Sequence, residues 1–406
     1  MKAGGRRGAN EPPGDPIQRL ALRLAGLGGA AALLALGPIL GPWSPLPARP
    51  DAHARVMAFA FIGLLVLGFL MRILPRARGV ALPHPGWARA GASIWAATAW
   101  LDALGIAPTL PLALLWGAGA VALGRALVGV WFAADRGPAW FEGWVAGGLL
   151  GMGGAVLALV VGAAFSPVVL ARAPTAFLVA GAAPLTLGLA IRMLPPLSGV
   201  GPPDRKRAER HGRVASWAVA GACMSLLAGV GWLAALLLGG LMAAALSSLG
   251  WLGRRTDGDP ASAAARDELA PRLLRGTARL AFGGLGLGLL ALGLSGRIPQ
   301  APSASAHLVG LGFLAAMAMG VAQRIVPGFL AGELRWPRAA AVAPALLLLA
   351  LVLRMTALWW PGLLGAASLA LAAAWVVFAL QIQPTLRSPD PGEEPRRASC
   401  ARSVPL

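Results

Sequence analysis

The stretch MAFAFIGLLVLGFLMRILPRARG, residues 57–79, has two counterparts in the same chain: FLVAGAAPLTLGLAIRMLPPLSG at 177–199 and LVGLGFLAAMAMGVAQRIVPGFLAG at 308–332. Each is an apolar run of helix length, then Arg-x-hydrophobic-Pro, then a glycine a few residues on. Arg72, Arg192 and Arg324 fall 120 and 132 residues apart. About 20 apolar residues take a helix across a hydrocarbon core of ~30 Å, so the recurrence predicts a membrane protein built from repeated helical units. In each copy the Pro is expected to break the helix as it leaves the membrane, and the Arg to snorkel to the headgroups. Contact with a cofactor carboxylate is the other role open to these arginines.

Composition agrees. With 57% hydrophobic and 13% charged residues and a mean hydropathy of +0.70, the chain is not a soluble globular protein. A net charge of +19 raises nucleic acid as a partner, but the distribution argues against it. Lys2 and Lys206 are the only lysines, and the arginines gather in alternate loops, as the positive-inside rule requires. No RNA- or DNA-binding module has room between the apolar runs. The expected partner is the lipid bilayer, and the expected location a membrane crossed many times. Cys223 and Cys400 make neither a disulfide framework nor a CxxC site.

Twelve spans are predicted, near 22–42, 53–74, 90–106, 112–133, 140–164, 175–194, 214–231, 233–252, 276–296, 306–326, 340–358 and 361–382. The loops after spans 2, 6, 8 and 10 hold the basic residues, among them Arg76, Arg78, Arg205, Arg254, Arg255, Arg335 and Arg338, so both termini are placed in the cytoplasm. The fold class is therefore all-α and polytopic, with three four-helix repeats. Residues 1–21 form a basic disordered leader, 22–139, 140–275 and 276–384 the repeats, and 385–406 a disordered tail. Trp131, Trp251 and Trp375, spaced 120 and 124 residues apart near the ends of spans 4, 8 and 12, fit the same register.

The copies differ in their histidines. His84 and His211 lie in cytoplasmic loops with no other ligand-type neighbour. His53 and His307 each open the second helix of a repeat on the external side, and the middle copy has none. Counted back from the repeat arginine, His307 is 17 residues away, as is Arg55, whereas His53 is 19 away. Neutral imidazole is the usual ligand for haem iron or copper. Met57 follows His53 by four residues on the same helical face, and reads either as a further ligand or as ordinary packing.

Ionisable residues within spans are functional candidates by default. Asp102 and Arg354 lie toward the external ends of spans 3 and 11, at the depth of the two histidines, so Arg354 is expected to pair with Asp102 or with a haem propionate. Arg125 lies deeper in span 4, with Glu142 and Asp135 as candidate partners. No nucleotide-binding, zinc-protease or Ser/His/Asp pattern appears. A transporter with Arg125, Arg354 and Asp102 along its substrate path is the rival reading, and a scaffold without cofactor a third.

DAHARVMAFAFIGLLVLGFLMRILPRARG resembles a hallmark of the NnrS family, through His53, Met57, Phe59 and Pro75. AHLVGLGFLAAMAMGVAQRIVPGFLAGELRWP is similar to a later helix of that family, through His307, Gly310, Arg324 and Gly332, and Arg354 matches a Leu-Arg element of the next span. The resemblance implies a twelve-span bacterial inner-membrane protein that carries haem and copper and is linked to nitric-oxide metabolism. It implies His53 and His307 as metal ligands, with Met57, Arg354 and Asp102 beside the cofactor, a haem of the b type, and a small gaseous or redox ligand. Two positions depart from the pattern. Arg55 stands where the family has a second His, and Gly328–Phe329 replaces a Gly-His turn. Twelve spans are also the architecture of the haem-copper oxidase catalytic subunit, but four His and no Tyr exclude that enzyme's ligand set.

Overall fold

The computed structural model describes residues 16–35, 49–133, 140–198, 203–249, 269–329 and 339–386. Residues 16–21, expected in the disordered leader, are helical, whereas residues 1–15, most of the tail, Asp135, Trp251, Arg254, Arg255, Arg335 and Arg338 lie outside the described residues. These residues form α1 (Pro16–Ala35), α2 (Pro50–Arg78), α3 (Pro85–Leu104), α4 (Thr109–Phe132), α5 (Glu142–Phe165) and α6 (167–198). The second half forms α7 (Arg205–Ala228), α8 (Gly231–Ser248), α9 (Leu269–Gly293), α10 (301–329), α11 (Val342–Thr356) and α12 (Leu364–Leu386). Among the described residues, eight helices are long and apolar enough to cross a membrane. Their outward faces carry large apolar side chains such as Phe132, Phe165, Val121 and Leu369, a surface suited to hydrocarbon rather than water.

Several helices begin before the predicted spans. α3, α7 and α9 start 5, 9 and 7 residues earlier, which takes Arg89, the 205–213 cluster and Arg275 into helical turns. Basic residues are good helix formers, and a turn outside the hydrocarbon lets them reach water. The expected break at Pro75 also does not occur: Pro75 lies inside α2. The terminator is Gly79, left-handed at φ 71°. Its N–H donates to the Arg76 carbonyl (3.2 Å) and that of Val80 to the Pro75 carbonyl (3.0 Å), the paired hydrogen bonds of a Schellman cap.

α2, α6 and α10, which carry the three recurring stretches, form the centre. Their apolar windows are 89%, 89% and 72% buried, against 33–44% for the other membrane-length helices. Each contains a π-helical segment, at Met57–Gly63, Phe177–Ala182 and Leu308–Ala315, starting 15, 15 and 16 residues before its arginine. The three segments touch one another pairwise. Around them α1 packs on α2 and α3, α5 on α6 and α7, and α9 on α10. The pairs α3–α4, α7–α8 and α11–α12 follow, and α12 closes the ring on α1. Glycine allows the close approaches: a Cβ on Gly151 would strike the Ala180 carbonyl, one on Gly143 the Gly212 backbone, and one on Gly284 that of Gly312. Small residues at helix crossings are what packing in lipid requires.

Candidate functional site

The site stands at the N-terminal ends of α2 and α10. α2 starts after Arg49 with Pro50 in its first turn, where the missing N–H costs nothing, and His53 follows. α10 starts at Ala301 with Pro302 likewise, and His307 is the last residue before its π segment. The contact between these π segments puts the two histidine-bearing helix ends on the same side of the molecule.

His307 is held at both ring nitrogens. Nδ1 lies 2.7 Å from the Ser303 carbonyl, which can only accept, so Nδ1 carries the proton. Nε2 therefore presents its lone pair, and Arg354 Nε donates to it at 2.9 Å. Arg354 Nη2 also reaches Ser303 Oγ at 3.5 Å. Arg354 sits in the last turn of α11, where the helix dipole favours a cation. Sequence depth places His53, His307 and Arg354 at one level, and the structure joins His307 to Arg354 by a hydrogen bond. Arg354 pairs with the imidazole rather than with Asp102.

Asp102 is fully buried and belongs to Arg55. Arg55 Nε and Nη2 donate to its two carboxylate oxygens, both at 2.7 Å, a bidentate fork. Arg49 Nη1 donates to the Asp102 backbone carbonyl at 2.6 Å and covers the C-terminus of α3 at left-handed Gly105. Arg172 repeats the arrangement on α7, donating to Leu227 O at 2.8 Å beside left-handed Gly229. Asp102 reaches the histidines only through α2, by holding Arg55 two residues from His53. Met57 is half-buried, packs against the apolar core and begins the π segment.

The remaining candidates lie elsewhere. Glu142, read from sequence as a partner for Arg125, is buried and accepts from Arg78 Nη2 at 2.6 Å and Trp131 Nε1 at 3.1 Å. Arg125 is exposed on α4 over the Trp87 ring, 5.6 Å from its centroid. His84 and His211 stay half-buried at the opposite end, His211 beside Ser248 Oγ at 3.2 Å. The two ion pairs went unseen in sequence because their members are 47 and 64 residues apart. The available signal was depth: Arg55 and Asp102 fall at the same level.

Two tests of a cofactor follow from this donor set. Among the described residues no group of three or more His, Cys, Asp or Glu converges, so an ion dependent on protein ligands alone finds too few. A haem would need only one or two ligands from the protein. His307 fits that demand, since its Nδ1–H is fixed by a carbonyl as in metal-ligating histidines. Were His307 to hold the iron through Nε2, Arg354 would give up its hydrogen bond to that nitrogen, and its guanidinium would be free to pair with a carboxylate.

Residues 19–389 match the family described as NnrS protein. The chain belongs to the NnrS family. No curated protein matches it. Family membership and the apolar helices together make this a membrane protein of the NnrS type. At the position where the sequence departs from the NnrS pattern, Arg55 has a definite structural task in the ion pair with Asp102.

Proposed function

We propose that this NnrS-type protein binds a haem of the b type at His53 and His307 and serves nitric-oxide response or respiratory metabolism in the bacterial inner membrane. The observation that supports this reading is the His307 imidazole, locked as the Nδ1–H tautomer so that its Nε2 lone pair is the one open to a ligand other than Arg354. The haem supplies an iron able to take a small gaseous or redox ligand. His307 offers Nε2, Ser303 keeps the ring's proton on Nδ1, and Arg354 balances carboxylate charge next to it. Asp102 and Arg55 hold the first turn of α2, and with it His53, in place. Met57 is the secondary candidate, one helical turn beyond His53.

The same reading extends the architecture to twelve spans in three four-helix repeats with both termini cytoplasmic. It is supported by the matching π segments, the matching Arg49 and Arg172 caps, and the order of contacts around the centre. The transport alternative finds less support: Arg125 faces outward and Asp102 is neutralised by Arg55, so neither stands with Arg354 along one path.

The test is the absorption spectrum of detergent-purified protein from haem-replete cells. A Soret band is expected in the wild type and lost in both His53→Ala and His307→Ala. A colourless wild type ends the haem reading. Reporter fusions at each terminus check the orientation, with activity expected only from cytoplasm-dependent reporters.

A further inference from the structure

The three central helices enclose a second feature, beyond the π segments and away from the histidines. A cavity of about 40 Å³ lies between α2, α6 and α10. Its lining follows the internal register. Val66, Thr186 and Ala318 each stand six residues before the recurring arginine, and Phe69, Leu189 and Val321 three before it. Ile73 and Met193 stand one residue after it. Equivalent positions of three different helices thus face a common axis. The nearest lining residue on α2, Val66, is 13 residues beyond His53, about 20 Å along a helix rising 1.5 Å per residue.

From this we infer that the axial cavity is a binding site for a small, uncharged, weakly polar molecule of two or three heavy atoms. Size sets the scale: a water needs roughly 10–15 Å³ of such space, so about three water-sized atoms fit there. Chemistry selects the class. Among the described residues no charged side chain lines the cavity, and an unpaired ion is very costly in such surroundings. Water requires two to four polar partners and finds one side chain, Thr186. That hydroxyl is buried, with Thr186 8% exposed, and Oγ1 has no hydrogen-bond partner among the described residues. It is left to donate a single hydrogen bond to whatever occupies the space. Leu314, from the π segment of α10, lines the part of the cavity nearest the histidines in sequence. The site does not depend on the haem reading and uses none of its residues.

Xenon is the probe, because it matches the size and polarity and is located directly by anomalous scattering. Crystals of the purified protein held under xenon pressure are expected to show a peak between Val66, Thr186 and Ala318. Thr186→Val is expected to keep the peak, since it removes only the hydroxyl. Ala318→Leu is expected to abolish it, by filling the space. An ordered water network in the cavity, or no xenon there while xenon occupies other cavities, overturns the inference, as does a peak that survives Ala318→Leu. The wild type and Thr186→Val decide the matter even where Ala318→Leu does not fold. The histidine variants and the Soret band leave this result untouched, so the two readings fail separately.

Discussion

Arg55 and Asp102 make the most consequential single contact at the outer end of α2. A charge inside the apolar region is tolerated only when paired, and losing one partner of a buried pair costs about 3–5 kcal/mol. Asp102→Ala and Arg55→Ala should therefore each lower the thermal unfolding midpoint markedly. Replacing both residues by leucine should recover most of the loss, because well-packed apolar residues can substitute for a buried ion pair. Thermal unfolding of the four proteins in one detergent checks this, and a double variant as unstable as the singles refutes it. At this scale the sequence was legible for type and depth, not for partnership. His307 and Arg354, which meet, could be picked out together because they occupy the same level. Arg55 was read against His307 and not against Asp102, since nothing local tells which of several charges on neighbouring helices will meet.

Helices show the opposite balance. Long apolar runs placed nearly all of them, and errors lie at ends, where basic turns continue the helix outside the apolar region. The π segments were not legible, because they come from the packing of three helices rather than from any residue preference. Nor was the terminator of α2 read correctly. Pro75 was expected to stop the helix, yet Gly79 does. Gly79→Ala should cost about 1–2 kcal/mol, the usual penalty for an L-residue in the left-handed region, whereas Pro75→Ala should leave stability unchanged or raise it. Guided by the close approaches, Gly151→Val should destabilise by about 1–3 kcal/mol through overpacking against Ala180. Gly153→Val, two residues along the same helix and facing open space, should not. Equal unfolding midpoints for that pair of variants would remove the argument for tight α5–α6 packing.

In the whole molecule, three stretches first noticed for their shared ending turn out to be its centre, and they differ at their starts. Two carry a histidine at their start; the middle one does not. That arrangement leaves one end of the axis polar and the other lined by apolar side chains and a single hydroxyl. α2 is also tied at both of its ends, by Arg55 to Asp102 of α3 and by Arg78 to Glu142 of α5. The two ties are 23 residues apart, about 34 Å along a helix, close to the ~30 Å thickness of a hydrocarbon core. Such a helix cannot slide along its own axis. It acts as a gauge of the bilayer, so a thinner or thicker membrane must be met by tilt of the outer helices or by bending of the lipid, at a cost that grows with each ångström of mismatch. Reconstituted into phosphatidylcholines of increasing chain length, the protein should be most stable where the hydrocarbon thickness equals the distance between those two ion pairs.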